Sequence, residues 1–145
     1  MGLDMYLIGK KSLWDLKKES KKIEKIFPEL KEFEPEKIVF ELGKWRKANA
    51  IHKWFVENVQ DGKDDNGEES WVSKKQLQEL LDLVKEVLKN KDKAEELLPT
   101  QSGFFFGGTE YDEWYFNSLK NTKKIINKVL KLNFDNIDVY YQSSW

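Results

Sequence analysis

A chain of 145 residues, 39% hydrophobic and 14% aromatic, is long enough for one core, so a single domain spanning residues 1–145 and built heavily from rings is expected. Its 25 basic residues stand against 26 acidic ones, and a net charge of -1 excludes the basic excess that a binder of polymeric nucleic acid carries. With no cysteine there is no disulfide and no thiolate metal site, and no apolar run approaches the length of a membrane span. The expectation is a cytoplasmic protein with no membrane partner, no metal and no cofactor.

Residues 3–8 alternate as a strand does, with Leu3, Met5 and Leu7 on one face and Asp4, Tyr6 and Ile8 on the other. Ser12 with Asp15 resembles a capping box, which predicts a helix from Leu13 to a stop near Pro28. Its lysines alternate with glutamates and read as a solvated face. A linker at Pro35 leads to a second strand over 37–42 (KIVFEL), and Gly43 is expected to separate it from a helix over 44–59.

That helix, KWRKANAIHKWFVENV, holds the only arginine, Arg46, and the only histidine, His52. At helical spacing Trp45, Ala48, Ile51, His52, Phe55 and Val59 share one stripe, and Arg46, Asn49 and Lys53 form a polar row beside it. Every other basic residue of the chain is lysine. The planar fork of Arg46 can grip a carboxylate or phosphate at two points, which an ammonium cannot do, so Arg46 is the leading candidate for ligand contact.

The acidic run over 60–70 reads as a mobile surface loop. It fails the calcium-loop template, because with Gly67 as the turn glycine, Gly62 falls on the first ligand position and Ser73 on the last. Ser73 with Gln76 forms a capping box, and Val72 with Leu77 a hydrophobic staple, for a helix ending about Lys89. A short helix over 92–98 precedes Pro99. Gly103 and Gly107 then bracket three phenylalanines, expected as an extended segment with Phe104 and Phe106 on one side and Phe105 on the other. Thr109, with Asp112 three residues on, is expected to cap a long helix that buries Tyr111, Trp114, Tyr115, Leu119, Thr122, Ile126 and Val129. Residues 136–144 alternate as a closing strand.

The fold class is therefore α+β: a small antiparallel sheet of N-terminal, central and C-terminal strands, packed by about four helices. If the two end strands pair, Asp4 and Tyr6 approach Tyr140 and Gln142, and the helices carrying Arg46 and Thr109 cover the sheet.

Catalytic motifs are absent. There is no Walker lysine, no Gly-x-Gly-x-x-Gly pattern, no His-x-x-x-His spacing and no Gly-x-Ser-x-Gly elbow. Gly107 and Gly108 ahead of a helix could offer N–H groups to a phosphate, yet Glu110, Asp112 and Glu113 crowd the same turn with negative charge. The acids serve capping better, or one of Glu110 and Asp112 orients Arg46. His52 acting alone as a general base is the only enzymatic reading, and no proton donor for it stands out. Binding without turnover is the main expectation, with no catalytic residue assigned.

The segments MGLDMYL, WRKANAIHKWFV, LPTQSGFFFGGTEYDEWYF and YYQSSW resemble a family of small proteins found in phages, prophages and bacterial genomes. The resemblance implies a phage as the ultimate owner. By analogy with small phage proteins that counter host defence, it also implies sequestration of a nucleotide-derived immune signal in the host cytosol. The ligand-binding set expected on this basis is Asp4, Tyr6, Arg46, Asn49, His52, Lys53, Phe105, Thr109, Tyr111, Asp112, Tyr140 and Gln142, with a homodimer as the assembly. A protein-interaction module that inhibits a host enzyme or receptor is the alternative, and a nucleotide hydrolase using His52 the weaker one.

Overall fold

The computed structural model describes residues 2–145. Four strands, β1 (Asp4–Ser12), β2 (Lys37–Arg46), β3 (Ser70–Trp71) and β4 (Asp138–Ser144), form one sheet in the order β2-β1-β4-β3. Every pairing is antiparallel. Five helices accompany them: α1 (Lys17–Ile26), α2 (Asn49–Val59), α3 (Lys74–Lys89), α4 (Ala94–Leu97) and α5 (Glu113–Val129). The expected α+β class holds, with five helices in place of four.

Alternation along β1 decides which face of the sheet is covered. Leu3, Met5 and Leu7 have no exposed surface, and on β4 Val139 and Tyr141 lie on the same inner side. Against them pack Ile51 and Phe55 of α2, Leu77, Leu80 and Val84 of α3, and Leu119 and Ile126 of α5. Tyr141 stacks on Phe55 with ring centroids 4.0 Å apart. The end strands pair as expected, Tyr6 opposite Gln142 and Ile8 opposite Tyr140, and this row forms the outer face, away from the helices.

The central helix begins later than the sequence implies. Lys44, Trp45 and Arg46 belong to β2, which stays paired with β1 until Arg46 meets Asp4. Gly43 is thus a strand residue and no breaker. An added Cβ there would lie 2.4 Å from Ile125 of α5, so glycine lets that helix lie close on the strand. A bulge leaves Leu42 without a partner between the Leu7–Gly43 and Ile8–Glu41 pairs.

Other boundaries shift for local reasons. Ser12 ends β1 and accepts the N–H of Trp14; α1 starts at Lys17 with no side-chain cap. Residues 13–36 form an arm between β1 and β2 in which α1 buries no residue, and Trp14, Ile26, Phe27, Leu30 and Phe33 are all exposed. The capping box of Ser73 and Gln76 is present as expected. The long helix α5 is capped by Asp112, whose Oδ1 accepts the N–H of Tyr115, and not by Thr109. Trp114, expected on the buried side, is 84% exposed.

Candidate functional site

The turn from β2 into α2 must reverse the chain within two residues, and it contains no glycine. Lys47 takes φ 55°, a left-handed conformation costing roughly 1–2 kcal/mol, and its N–H donates to Leu3 O at 2.7 Å. Gly107 (φ 89°) packs against it, where an added Cβ would lie 3.2 Å from Lys47 Cβ. Ala48 occupies the N-cap of α2 and has no side-chain acceptor to offer. The first N–H groups of a helix have no partner within it, so this end presents bare donors and the positive pole of the helix dipole.

Those donors open onto a cavity of about 620 Å³. Trp45, Arg46, Lys47, Ala48, Asn49 and Ala50 supply one wall; Gly107, Gly108 and the start of α5 supply the other. Arg46 forms no ion pair among the described residues. Glu110 and Asp112 line the cavity as well. Arg46 lies opposite Asp4, so its side chain leaves β2 on the outer face of the sheet, where its Nη2 would stand 3.7 Å from a Cβ added at Gly2. Trp45 is a buried wall, its Nε1–H donating to Thr122 Oγ1 at 2.8 Å, whereas the Trp114 side chain is exposed to solvent. At the cavity's base the hydroxyl of Tyr115 donates to Leu98 O at 2.8 Å, and burial pushes its pKa well above the usual tyrosine range.

Asn49 positions the second wall. Its Nδ2 donates to Phe106 O at 3.1 Å and Gly108 O at 2.9 Å, and its Oδ1 accepts the N–H of Gln101 at 3.0 Å. One side chain thereby fastens both ends of the phenylalanine segment. The segment is a turn, not the extended stretch expected: Phe105 takes φ 62° and its carbonyl accepts the N–H of Leu3. Phe106 alone is buried, while Phe104 and Phe105 face solvent together with rings 4.4 Å apart.

Of the twelve residues expected to bind a ligand, Arg46, Asn49 and Asp112 line this cavity. Thr109 and Tyr111 brace its rim, since Thr109 O accepts the Thr100 hydroxyl and the Tyr111 hydroxyl accepts the Thr100 N–H. Asp4, Tyr6, Tyr140 and Gln142 lie on the outer face of the sheet, as β1 parity demands. There Lys44 sits over the Tyr6 ring, Lys10 over the Tyr140 ring, and Gln142 donates to Gly67 O. Lys53 pairs with Glu57 one turn on. The helical row of Arg46, Asn49 and Lys53 does not exist, because Arg46 is on a strand.

His52 belongs to a different network. It is fully buried, 2.9 Å from Asp64 through Nε2 and 2.7 Å from the Tyr141 hydroxyl through Nδ1. With the Asp64 carboxylate accepting, Nε2 carries the proton and Nδ1 accepts from Tyr141. Trp145 Nε1 donates to the other Asp64 oxygen at 3.0 Å. Burial first, then the Asp64 charge, raises the Tyr141 pKa well above its ordinary value. The chain Tyr141–His52–Asp64–Trp145 fastens the acidic loop to the core, helped by Gly67 N–H on Ser143 O and by Asn66 bonded twice to Trp145.

Trp45, Lys47 and the N-terminus of α2 are cavity features that the sequence reading missed, whereas Gly107 and Gly108, weighed there as phosphate donors, do line it. One signal was available: the stretch RKANA offers no Ser, Thr or Asp in front of the helix. Comparison of the chain with family models, curated proteins and solved structures finds no match. No helix among the described residues is long and apolar enough to cross a membrane.

Proposed function

We propose that this is a phage-encoded, non-enzymatic binding protein that sequesters a small nucleotide-derived ligand, an immune signal of the host cell, in the cavity between β2, α2 and α5. The observation that carries this reading is that the uncapped N-terminus of α2, the sole arginine and Lys47 all border one cavity. Uncapped N–H groups, a guanidinium and an ammonium together suit a phosphate, each charge-assisted bond adding roughly 1.5–3 kcal/mol. Trp114 at the mouth gives a base a ring to stack on. Glu110 and Asp112 across the cavity can accept from ribose hydroxyls or an exocyclic amine.

Absence of turnover is supported by the state of His52. Both its ring nitrogens are engaged, the ring is buried among aromatic side chains, and it is not among the residues lining the cavity, which argues against the hydrolase reading that uses His52. Calorimetric titration with cyclic dinucleotides and ADP-ribose-derived signals tests the proposal. Saturable binding, recovery of the intact ligand after denaturation and loss of binding in Arg46→Ala are expected. No heat from any probe, or equal binding by the variant, refutes it.

The second reading, a module that inhibits a host enzyme or receptor, draws on the arm. Five large apolar side chains exposed on one 24-residue stretch form a surface that a soluble monomer seldom leaves bare. A pull-down from host lysate that depends on Trp14 and Phe33, and is indifferent to Arg46, favours this reading over the first.

A further inference from the structure

β2 is a ten-residue strand at the edge of the sheet, and no strand lies beside it from Lys37 onward among the described residues. Such an edge presents a row of unpaired N–H and C=O groups and is normally guarded by charge. Here the guard is a particular pattern. Lys37, Val39 and Glu41 pair with Ser12, Lys10 and Ile8 and so point to the outer face; Ile38 and Phe40 pair with Lys11 and Gly9 and point to the helix face. Val39 and Phe40 are 57% and 47% exposed, so apolar surface accompanies the open edge on both sides.

We propose that two copies of the chain join through β2, antiparallel about a two-fold axis at Val39, making one continuous sheet. This assembly is independent of the ligand reading above. In that register Lys37 of each copy faces Glu41 of the other, giving two ion pairs that flank a Val39–Val39 contact on the outer face. On the helix face Ile38 and Phe40 oppose each other twice. Cross-strand neighbours of this kind stand about 5 Å apart at Cβ and each favourable pair adds to the association.

Neighbouring registers lose the match. An axis at Phe40 sets Val39 against Glu41 and one at Ile38 sets Lys37 against Val39, while an axis between two residues would oppose side chains from different faces of the strand. Within residues 37–41 the Val39 axis alone sets Lys37 against Glu41, so it is selected by charge as well as by packing.

Charge reversal tests the register. Light scattering of the full chain should return twice the 17.3 kDa chain mass. Lys37→Glu and Glu41→Lys should each weaken dimerisation about ten- to thirtyfold, since each sets like charges opposite twice. The double variant Lys37→Glu/Glu41→Lys should recover the dimer, and the two single variants mixed should form a heterodimer. Both positions are exposed, and a circular-dichroism melt checks that the variants fold. As a second measurement, Val39→Cys in this cysteine-free chain should close an intermolecular disulfide on mild oxidation. A wild-type monomer, a dimer indifferent to both single variants, a double variant as weak as the singles, or a Val39→Cys chain that stays monomeric on oxidation each overturn the proposal.

Discussion

Two polar regions at the start of helix α2, centred four residues apart on Ala48 and His52, differ in kind. One turn in, His52 has no exposed surface and both nitrogens are bonded, to Tyr141 on the sheet and Asp64 in the acidic loop. At its start, Ala48 gives the first N–H groups no side-chain cap, and Arg46 and Lys47 border the same cavity without an ion pair among the described residues. The satisfied network has no binding capacity left for a ligand; the unsatisfied one has little else to do. Rarity in the sequence marked both places alike, and only the state of their hydrogen bonds separates the structural role from the binding role.

The contrast predicts opposite responses to substitution. His52→Ala leaves a void and strips Tyr141 and Asp64 of their partner, so a loss of about 3–4 kcal/mol is expected from the urea midpoint. Ligand affinity per folded molecule should stay unchanged. A His52 variant that melts normally yet no longer binds would erase the distinction.

Alkali probes the same network without mutation. The Tyr141 and Tyr115 hydroxyls have raised pKa values in the folded state, so the folded protein resists their ionisation. Their stabilising contribution is complete below the unfolded tyrosine value of about 10 and is lost as pH climbs from there towards the raised folded values. Thermal melts should therefore fall above about pH 10, and the fall should be shallower in Tyr141→Phe. Such a fall above pH 10 that Tyr141→Phe leaves as steep would contradict this account.

Asn49→Ala sharpens the boundary between the regions, because it releases Phe106 O, Gly108 O and the Gln101 N–H together. About 2 kcal/mol of stability should go, and affinity should fall as well, since the second wall of the cavity loses its anchor. Ala48→Asp is the smallest change in stability and the most informative. A carboxylate at the N-cap should stabilise α2 by about 1 kcal/mol while occupying the donors reserved for the ligand. A more stable protein that binds worse is the expected outcome, read by melting and calorimetry side by side; unchanged affinity would show that the helix end is not used.

Three of the four strands were legible because their signals are local, while β3, two residues long, carried no pattern to read. Alternation over 3–8 and 136–144 placed both end strands, and Ser73 with Gln76 placed the start of α3. The β2–α2 junction was not, because Trp45 fits a period of 2 beside exposed Lys44 and Arg46 as well as a period of 3.6 with Ala48 and Phe55. Pairing of β1 up to Asp4 decides between them, and that is a long-range contact. Gly43 looked like a breaker for the same reason: its role is to admit Ile125, over eighty residues away. Thr109 and Asp112 are both good caps, and the Thr109 carbonyl is taken by Thr100. Of the cavity only Arg46, Asn49 and Asp112 were named among the expected ligand residues, since its walls come from residues 45–50 and 100–121 and meet only in the folded chain.

The most direct test of the central claim is calorimetric titration of cyclic dinucleotides and ADP-ribose-derived signals into the wild type and Arg46→Ala at equal folded concentration. Arg46 is exposed, so the variant should melt within about 0.5 kcal/mol of the wild type. At least one probe should bind the wild type saturably, and the variant should bind it tenfold or more weakly, as expected for a lost charge-assisted contact. Binding that is the same in both proteins, or absent from both, would contradict the assignment of the α2 N-terminus as the ligand site.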